Sequence, residues 1–336
     1  MNPLTYVLVN LAVLLIIRQG GFSVAAGTLT QGQVVALVNY MAQILVELVK
    51  LANSIFTVTK AVACGKRIGA VLDMPAGQER IADEKPQRTG EAVSFEKVSL
   101  TYDGDSAPSL QDITFTALRG QTVGVIGGTG AGKSSLVQLI PRFYEATEGS
   151  VRVLGAEVRS YEPATLRGHI GIVPQKAELF RGTIRSNLQW GRKDADDAAL
   201  WQALEDAQAA DFVREKEGQL DAPVEQKGRN FSGGQRQRLT IARALVGQPE
   251  ILILDDSASA LDYATDARLR EALRKLPYHP TIFLISQRTA SLRACDQILV
   301  LEDGRLVGMG THETLLRDCA VYREIHESQY KGGEEA

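Results

Sequence analysis

Residues 122–134 read TVGVIGGTGAGKS, a short apolar run followed by a glycine-rich loop that ends in Lys133 and Ser134. The apolar run predicts a buried strand, and the succession of strand, glycine loop and helix predicts a phosphate-binding turn, with a glycine-rich hairpin as the alternative. Glycines allow several backbone N–H groups to converge on a β-phosphate, while the lysine reaches the β- and γ-oxygens and the serine hydroxyl ligates Mg²⁺. The predicted nucleotide loop comprises Gly127, Gly128, Thr129, Gly130, Ala131, Gly132, Lys133, Ser134 and Ser135.

A second glycine turn lies in residues 230–235, which read NFSGGQ. Ser232 is placed to cap the helix that continues to Leu245, and Gly233 and Gly234 leave backbone N–H groups bare at its positive end. With Gln235 these residues form what we call the SGGQ turn. It predicts an anion site that faces a nucleotide held by a second subunit.

An acidic pair, Asp255 and Asp256, follows the apolar run at residues 251–254. Taken alone, such a pair after a strand is typical of a turn or a helix cap. Together with the nucleotide loop it predicts that Asp255 holds Mg²⁺ through water and that Asp256 orients the attacking water.

These motifs resemble the ATP-binding cassette (ABC) family, and more narrowly the bacterial type I ABC exporters in which membrane and nucleotide domains share one chain. The resemblance covers essentially all 336 residues. It implies an α/β fold: a P-loop NTPase cassette with a parallel-sheet core, an antiparallel β subdomain and a helical subdomain, preceded by two membrane-type helices. The cofactors it implies are ATP and Mg²⁺.

The resemblance also implies roles for residues whose local sequence is ordinary. Tyr102 matches the aromatic residue on which adenine stacks, although a strand-end tyrosine is the alternative. Gln175 matches the glutamine that senses Mg²⁺ and faces the membrane domain, and it would otherwise be a loop residue. Asp262 ends a Ser-Ala-Leu-Asp sequence that crosses the dimer interface in the family but is by itself an ordinary helix cap. The implied metal ligands are Ser134, Gln175 and Asp255.

The resemblance implies three catalytic positions, which are Asp256, Gln287 and Gln175. Two of them, Asp256 and Gln287, depart from the family pattern. Asp256 replaces the usual Glu, which retracts the carboxylate by about 1.5 Å. Gln287 replaces the switch His, and an amide can bind a γ-phosphate but cannot carry a proton. The pairing resembles the slow site of heterodimeric exporters, and it implies that the SGGQ turn completes a competent site on the partner. Substitutions tolerated in a homodimer are the alternative, and residues 224–228 (VEQKG) also depart from the family's cross-linking loop.

The first quarter of the chain is apolar. Residues 4–17 form a run shorter than the roughly 20 residues that a spanning helix needs, and no basic segment marks a signal peptide. We expect the end of a spanning helix cut by the chain start. A helical pattern from Gln33 to Leu72, about 60 Å long, predicts a second helix in which Glu47 pairs with Lys50. The two helices resemble the last two of a type I exporter, joined by an external turn at residues 29–33. Because the resemblance lacks the first four helices, we expect that the chain is a fragment or that its start was assigned too late. A soluble amphipathic hairpin is the alternative.

The predicted domains are residues 1–73, the incomplete end of a transmembrane domain; 74–91, a linker; 92–330, the nucleotide-binding domain; and 331–336, a tail. Antiparallel strands are predicted at 93–118 and 151–158, core strands at 122–126, 170–173, 251–254, 281–285 and 297–301, and a hairpin turn at 303–305. A helical subdomain is predicted from residues 194–215 and the helix after the SGGQ turn.

Bulk composition narrows the choice of function. A net charge of −3 and a pI near 5.9 give no support for a surface that binds nucleic acid. Cys64, Cys295 and Cys319 are too scattered for a zinc site or a disulfide framework, which indicates a reducing cytoplasmic environment.

We therefore expect an ATP-binding/permease subunit in the cell membrane, multi-pass, with its cassette in the cytoplasm and ATP hydrolysis coupled to export. Its partners would be a second half-transporter, the lipid membrane and a transported substrate that these residues do not identify. The alternatives are a soluble ABC-type ATPase of DNA repair or translation and a non-hydrolysing module that dimerises on ATP.

Overall fold

A computed structural model of the chain describes residues 3–73, 90–102, 104, 107–257 and 261–331. The chain divides into two compact units, Met1–Gly77 and Gln78–Ala336. Most of the predicted linker lies outside the described residues. So do Ser259 and Ala260 of the Ser-Ala-Leu-Asp sequence, and residues 332–336 of the predicted tail.

The first unit consists of two long apolar helices, α1 (Pro3–Ala25) and α2 (Gln31–Leu72). A capping box starts α2: the Thr30 hydroxyl accepts from the Gln33 backbone, and the Gln33 side chain accepts from the Thr30 N–H. Glu47 and Lys50 form the predicted ion pair, at 2.7 Å. By length and composition alone, both helices can cross a membrane, and both are almost entirely exposed.

The first helix is longer than the apolar run at residues 4–17 from which it was predicted. α1 has 23 residues, about 34 Å at the usual rise per residue, because the helix continues through Arg18 and two glycines to Ala25. At Gly20 the two helices approach closely, since a Cβ there would lie 2.5 Å from a methyl carbon of Val34. The length of the apolar run therefore underestimated the length of the helix.

The second unit carries the strands and the shorter helices. Its strands are β1 (Glu91–Leu100), β2 (Leu110–Leu118), β3 (Thr122–Gly127), β4 (Glu148–Val153), β5 (Ala156–Glu157), β6 (Ile170–Val173), β7 (Gly182–Thr183), β8 (Pro223–Val224), β9 (Ile251–Asp255), β10 (Thr281–Ile285), β11 (Gln297–Glu302) and β12 (Arg305–Gly310). Its helices are α3 (Lys133–Leu139), α4 (Pro163–Gly168), α5 (Ile184–Leu188), α6 (Asp197–Asp206), α7 (Ala210–Arg214), α8 (Gly233–Leu245), α9 (Tyr263–Arg274), α10 (Thr289–Leu292), α11 (His312–Asp318) and α12 (Ala320–Lys331).

Two larger sheets confirm the predicted α/β architecture. The first is antiparallel, in the order β2-β1-β4-β5, and the second has the order β12-β11-β3-β10-β9-β6. In the second sheet all neighbours are parallel except β11 and β12, which form the hairpin predicted at Asp303–Arg305. One boundary was wrong: Val158 begins a 3₁₀ turn and is not part of a strand.

The parallel sheet is buried on both faces, which explains its continuous apolar strands. In β9, Ile251 and Ile253 pack into one hydrophobic core, whereas Leu252 and Leu254 pack into another. Alternate residues of a strand point to opposite faces, so each of the parallel strands contributes to both cores. One core also receives the antiparallel sheet and α3, and the other receives the helices from α5 to α9.

Candidate functional site

Four neighbouring parallel strands end next to the predicted site residues, at one edge of the sheet. β3, β10, β9 and β6 are adjacent, and their carboxyl ends lead into the nucleotide loop, Gln287, the acidic pair and Gln175, respectively. Ligands of open α/β sheets bind at this edge. Residues separated by as many as 160 positions in the sequence, from Gly127 to Gln287, therefore lie along one edge of the sheet.

The nucleotide loop connects β3 to α3 and is held tightly against its surroundings. A Cβ on Gly127 would lie 2.2 Å from the Leu301 carbonyl oxygen, so only glycine fits there. Gly132 has a φ of +92°, and a Cβ would approach the Ser109 carbonyl oxygen to 2.7 Å. Packing requires glycine at Gly127, and packing together with a left-handed backbone requires it at Gly132.

Lys133 lies over the nucleotide loop. Its ammonium donates to the carbonyl oxygens of Gly127 at 2.9 Å and Gly128 at 2.6 Å. Burial lowers the pKa of Lys133, while Asp256 and Asp255 act in the opposite direction. The positive charge is thus held at the loop, where a nucleotide phosphate would bind.

Ser134 and Asp255 provide a pair of oxygen ligands that suits Mg²⁺. The Ser134 hydroxyl donates to Asp255 Oδ1 at 3.3 Å. Burial raises the pKa of the Asp255 carboxyl, Asp256 adds to the rise, and Ser134 and Lys133 oppose it. The described residues contain no cluster of three or more metal-ligating His, Cys, Asp or Glu side chains. One hydroxyl and one carboxylate fit Mg²⁺, which takes its remaining ligands from phosphates and water.

Asp256 adopts a backbone conformation that the sequence did not predict. Its φ is +44°, in the left-handed region where Asp is enriched, and its N–H donates to the Ile285 carbonyl oxygen at 3.1 Å. Gln175 Nε2 donates to Asp256 Oδ2 at 3.4 Å, which brings two predicted catalytic residues together. Burial raises the pKa of Asp256, and Gln175, Lys133 and Arg288 oppose that rise.

Tyr102 joins the nucleotide loop through Ser135, to whose hydroxyl it donates at 2.9 Å. Its ring also packs edge-on against Tyr144, with ring centroids 4.8 Å apart. Sequence reasoning missed Tyr144, which lies in no motif and reaches Tyr102 only through the fold.

The SGGQ turn starts α8 with the predicted cap. The Ser232 hydroxyl accepts from the Gln235 N–H at 3.2 Å, and Gln235 Oε1 accepts from the Ser232 N–H at 3.0 Å. Within the described residues, no hydrogen bond or ion pair joins this turn to the nucleotide loop. Hydrogen bonds thus join Ser134 of the loop to Asp255 and Gln175 to Asp256, whereas the described residues show none from these to the SGGQ turn.

The remaining predicted residues lie at strand and helix ends. Gln287 follows β10 with an exposed side chain. Asp262 caps α9 by accepting from the Thr265 N–H at 2.9 Å, and this bond lowers the pKa of its carboxyl. Arg288 was not predicted, and its guanidinium lies 5.0 Å from the centre of the exposed Tyr263 ring.

Comparisons with known proteins find similarity to ABC transporter proteins. A family model described as ABC transporter matches residues 110–259. An uncharacterized ABC transporter ATP-binding protein of Mycobacterium bovis is 40% identical over 334 residues, covering 98% of this chain and 57% of that protein. The ATP-dependent lipid A-core flippase of Xanthomonas campestris is 37% identical over 312 residues, covering 93% of this chain and 53% of that protein.

A solved structure shares the same fold. A bacterial Atm1-family ABC exporter with ATP bound matches with a TM-score of 0.73 and 31% identity, over 96% of this chain and 57% of that one. The chain thus spans little more than half the length of the relatives it matches.

Proposed function

Because this chain contains an ABC transporter ATP-binding domain, we propose that it is the ATP-binding/permease subunit of a type I ABC exporter. The proposal places it in the cell membrane as a multi-pass protein, with the cassette in the cytoplasm and ATP hydrolysis coupled to export. α1 and α2, each long and apolar enough to span a membrane, support this assignment. The flippase and exporter named among its relatives support it as well.

The convergence of the nucleotide loop, the acidic pair and Gln175 carries the proposal. Lys133 would hold the β- and γ-phosphates, and Ser134, Asp255 and Gln175 would hold Mg²⁺. Mg²⁺ supplies neutralisation of the phosphate charge when it is bound. Tyr102 would present its ring to the adenine, and its hydroxyl donates to Ser135 of the loop.

The SGGQ turn supports a site shared between two subunits. Gly233 is the first residue of α8, and an added Cβ would meet nothing within 4 Å. Glycine in a helix costs about 1 kcal/mol relative to alanine, and neither packing nor a positive φ requires glycine at this position. A bare backbone at a helix start suits a phosphate from outside the chain. We assign that phosphate to ATP on a second half-transporter.

We further propose that the site on this chain hydrolyses slowly. Asp256 is a shorter base than the family's Glu, and its carboxylate is already engaged by Gln175. Gln287 can contact a γ-phosphate but cannot accept a proton there. Positioning of water supplies most of the protein's contribution to phosphoryl transfer, so these two changes act on the same step. The partner would then carry Glu and His at these positions.

Photolabelling distinguishes the two sites. The chain is purified with its partner half-transporter and labelled with a radioactive azido-ATP, with and without vanadate, which traps a site that has hydrolysed. We expect vanadate-dependent label on the partner and vanadate-independent label on this chain. The double variant Asp256→Glu/Gln287→His should bring vanadate-dependent label to this chain. Wild-type chains that pair with themselves and trap label would contradict the slow-site proposal, and the absence of any MgATP labelling would contradict the function.

A further inference from the structure

The end of α12 holds the backbone that carries Gln287. Gln329 Nε2 donates to the Gln287 carbonyl oxygen at 2.6 Å. The Oε1 atom of the same Gln329 amide accepts from the Thr289 N–H at 2.9 Å and from the Thr289 hydroxyl at 3.1 Å. A single side chain, about forty residues away in the sequence, therefore bonds to both sides of Arg288.

These bonds supply a cap that the local sequence lacks. Thr289 is fully buried at the start of α10, and Arg288, in the cap position before it, makes no side-chain capping bond. A buried N–H at a helix start needs an acceptor, and the Gln329 amide oxygen provides it. His326, one turn earlier on α12, adds a bond to the Thr289 hydroxyl at 3.0 Å.

The residues before Gln287 are held differently. Ser286 N–H donates to the Val125 carbonyl oxygen at 3.2 Å, and the Ile285 carbonyl oxygen accepts from the Asp256 N–H at 3.1 Å. The parallel sheet thus fixes the chain as far as Ser286. Beyond it, the Ser286 hydroxyl accepts from the Arg288 N–H at 3.0 Å, and α12 holds the carbonyl oxygen of Gln287, whose side chain is exposed.

We propose that Gln329 is a positioning residue that sets the direction of the Gln287 side chain toward the γ-phosphate of bound ATP. The inference rests on the proposed function, because Gln287 meets a γ-phosphate only if the nucleotide loop binds ATP. It makes the last turn of α12 part of the machinery that distinguishes ATP from ADP. Displacing α12 would release Gln287 and lower the affinity for ATP while sparing ADP, which has no γ-phosphate.

The test compares two nucleotides on the full chain in detergent with its partner. Binding of magnesium with a non-hydrolysable ATP analogue and binding of MgADP are each measured by fluorescence titration. For Gln329→Ala we expect the preference for the ATP analogue to fall about three- to tenfold, the value of one or two hydrogen bonds, with MgADP affinity within about twofold of wild type. Ser328→Ala is the matched control, since the Ser328 hydroxyl bonds to the Ile325 carbonyl oxygen of its own helix. This control should change neither affinity.

A second variant separates positioning from folding. Gln329→Glu keeps an acceptor for Thr289 and loses the donor to Gln287, so it should fold like wild type and still lose the preference for ATP. Gln287→Ala should lose the same preference, and adding Gln329→Ala to it should cause no further loss. Equal losses for both nucleotides, an unchanged preference in Gln329→Glu, or additive losses in the double variant would overturn the inference. If Gln287→Ala leaves the preference unchanged, the proposed role of Gln287 fails instead.

Discussion

Substituting Gly233 with Asp tests whether the SGGQ turn contacts a nucleotide, and we expect the substitution to leave the fold intact. A Cβ added at this position meets no atom within 4 Å, and Gly233 is the first residue of the 13-residue helix α8. A carboxylate in the first turn of a helix contributes about 0.3–1 kcal/mol through the helix dipole, and replacing a helical glycine adds a few tenths of a kcal/mol. The variant should therefore melt at the wild-type temperature or slightly above it.

The same carboxylate would lie against the γ-phosphate of the partner's ATP. Two unit charges about 4 Å apart repel by about 1 kcal/mol in water and by about 4 kcal/mol at the effective dielectric of a protein surface. Since each 1.4 kcal/mol or so is a factor of ten, turnover by the paired complex should fall between about fivefold and about a thousandfold. We expect the larger loss, because closure of the interface excludes water.

Steady-state ATPase activity of the purified complex measures this loss, and thermal unfolding of the same samples checks the fold. Gly168→Asp is the control, because Gly168 is also exposed and a Cβ there meets nothing within 4 Å. The control should retain wild-type activity. Wild-type turnover in a folded Gly233→Asp complex would refute the assignment of this turn to a nucleotide.

Two further predictions concern the site on this chain. Burial holds the pKa of Asp255 above its unfolded value, so the stability linked to its protonation is present below the unfolded pKa and is lost as the pH rises through the folded pKa. Asp255→Asn should therefore raise the melting temperature of the nucleotide-free protein at neutral pH, by a margin that shrinks on acidification, and should reduce the stabilisation that MgATP gives. Thermal unfolding at two pH values, with and without MgATP, measures both effects. A melting temperature below that of the wild type at neutral pH without nucleotide would contradict the argument. Tyr102→Ala should weaken MgATP binding about five- to tenfold through lost ring contact, whereas Tyr102→Phe should stay within about twofold because it loses only the bond to Ser135. Equal effects of the two substitutions in a nucleotide titration would rule out a role for the ring.

Local patterns predicted the core of the fold because they follow from local physics. The strand at residues 122–126 extends by one residue to Gly127, and that at 251–254 extends to Asp255. Both are apolar because the sheet is buried on two faces. The cap at Ser232 was also predictable, since a capping box lies within four consecutive residues.

Long-range contacts and unusual backbone conformations were not predictable in this way. The contact of Tyr144 with Tyr102 and the bonds of Gln329 to Gln287 and Thr289 join residues about forty positions apart. The left-handed φ of Asp256 gives one signal in retrospect, because Asp adopts that conformation more readily than Glu. The left-handed backbone at this position thus favours Asp over Glu, although the shorter side chain reaches less far.

Nucleotide-dependent cross-linking tests the shared site most directly. Gly233→Cys is introduced into a Cys64→Ser background, since Cys64 is the exposed one of the three free cysteines. The partner receives a cysteine in its own phosphate loop, and a short bifunctional reagent is added with and without MgATP. We predict a cross-link between the two chains that forms with MgATP and is absent without it. A cross-link that is indifferent to nucleotide, or none at saturating MgATP in a complex that remains paired, would contradict the account.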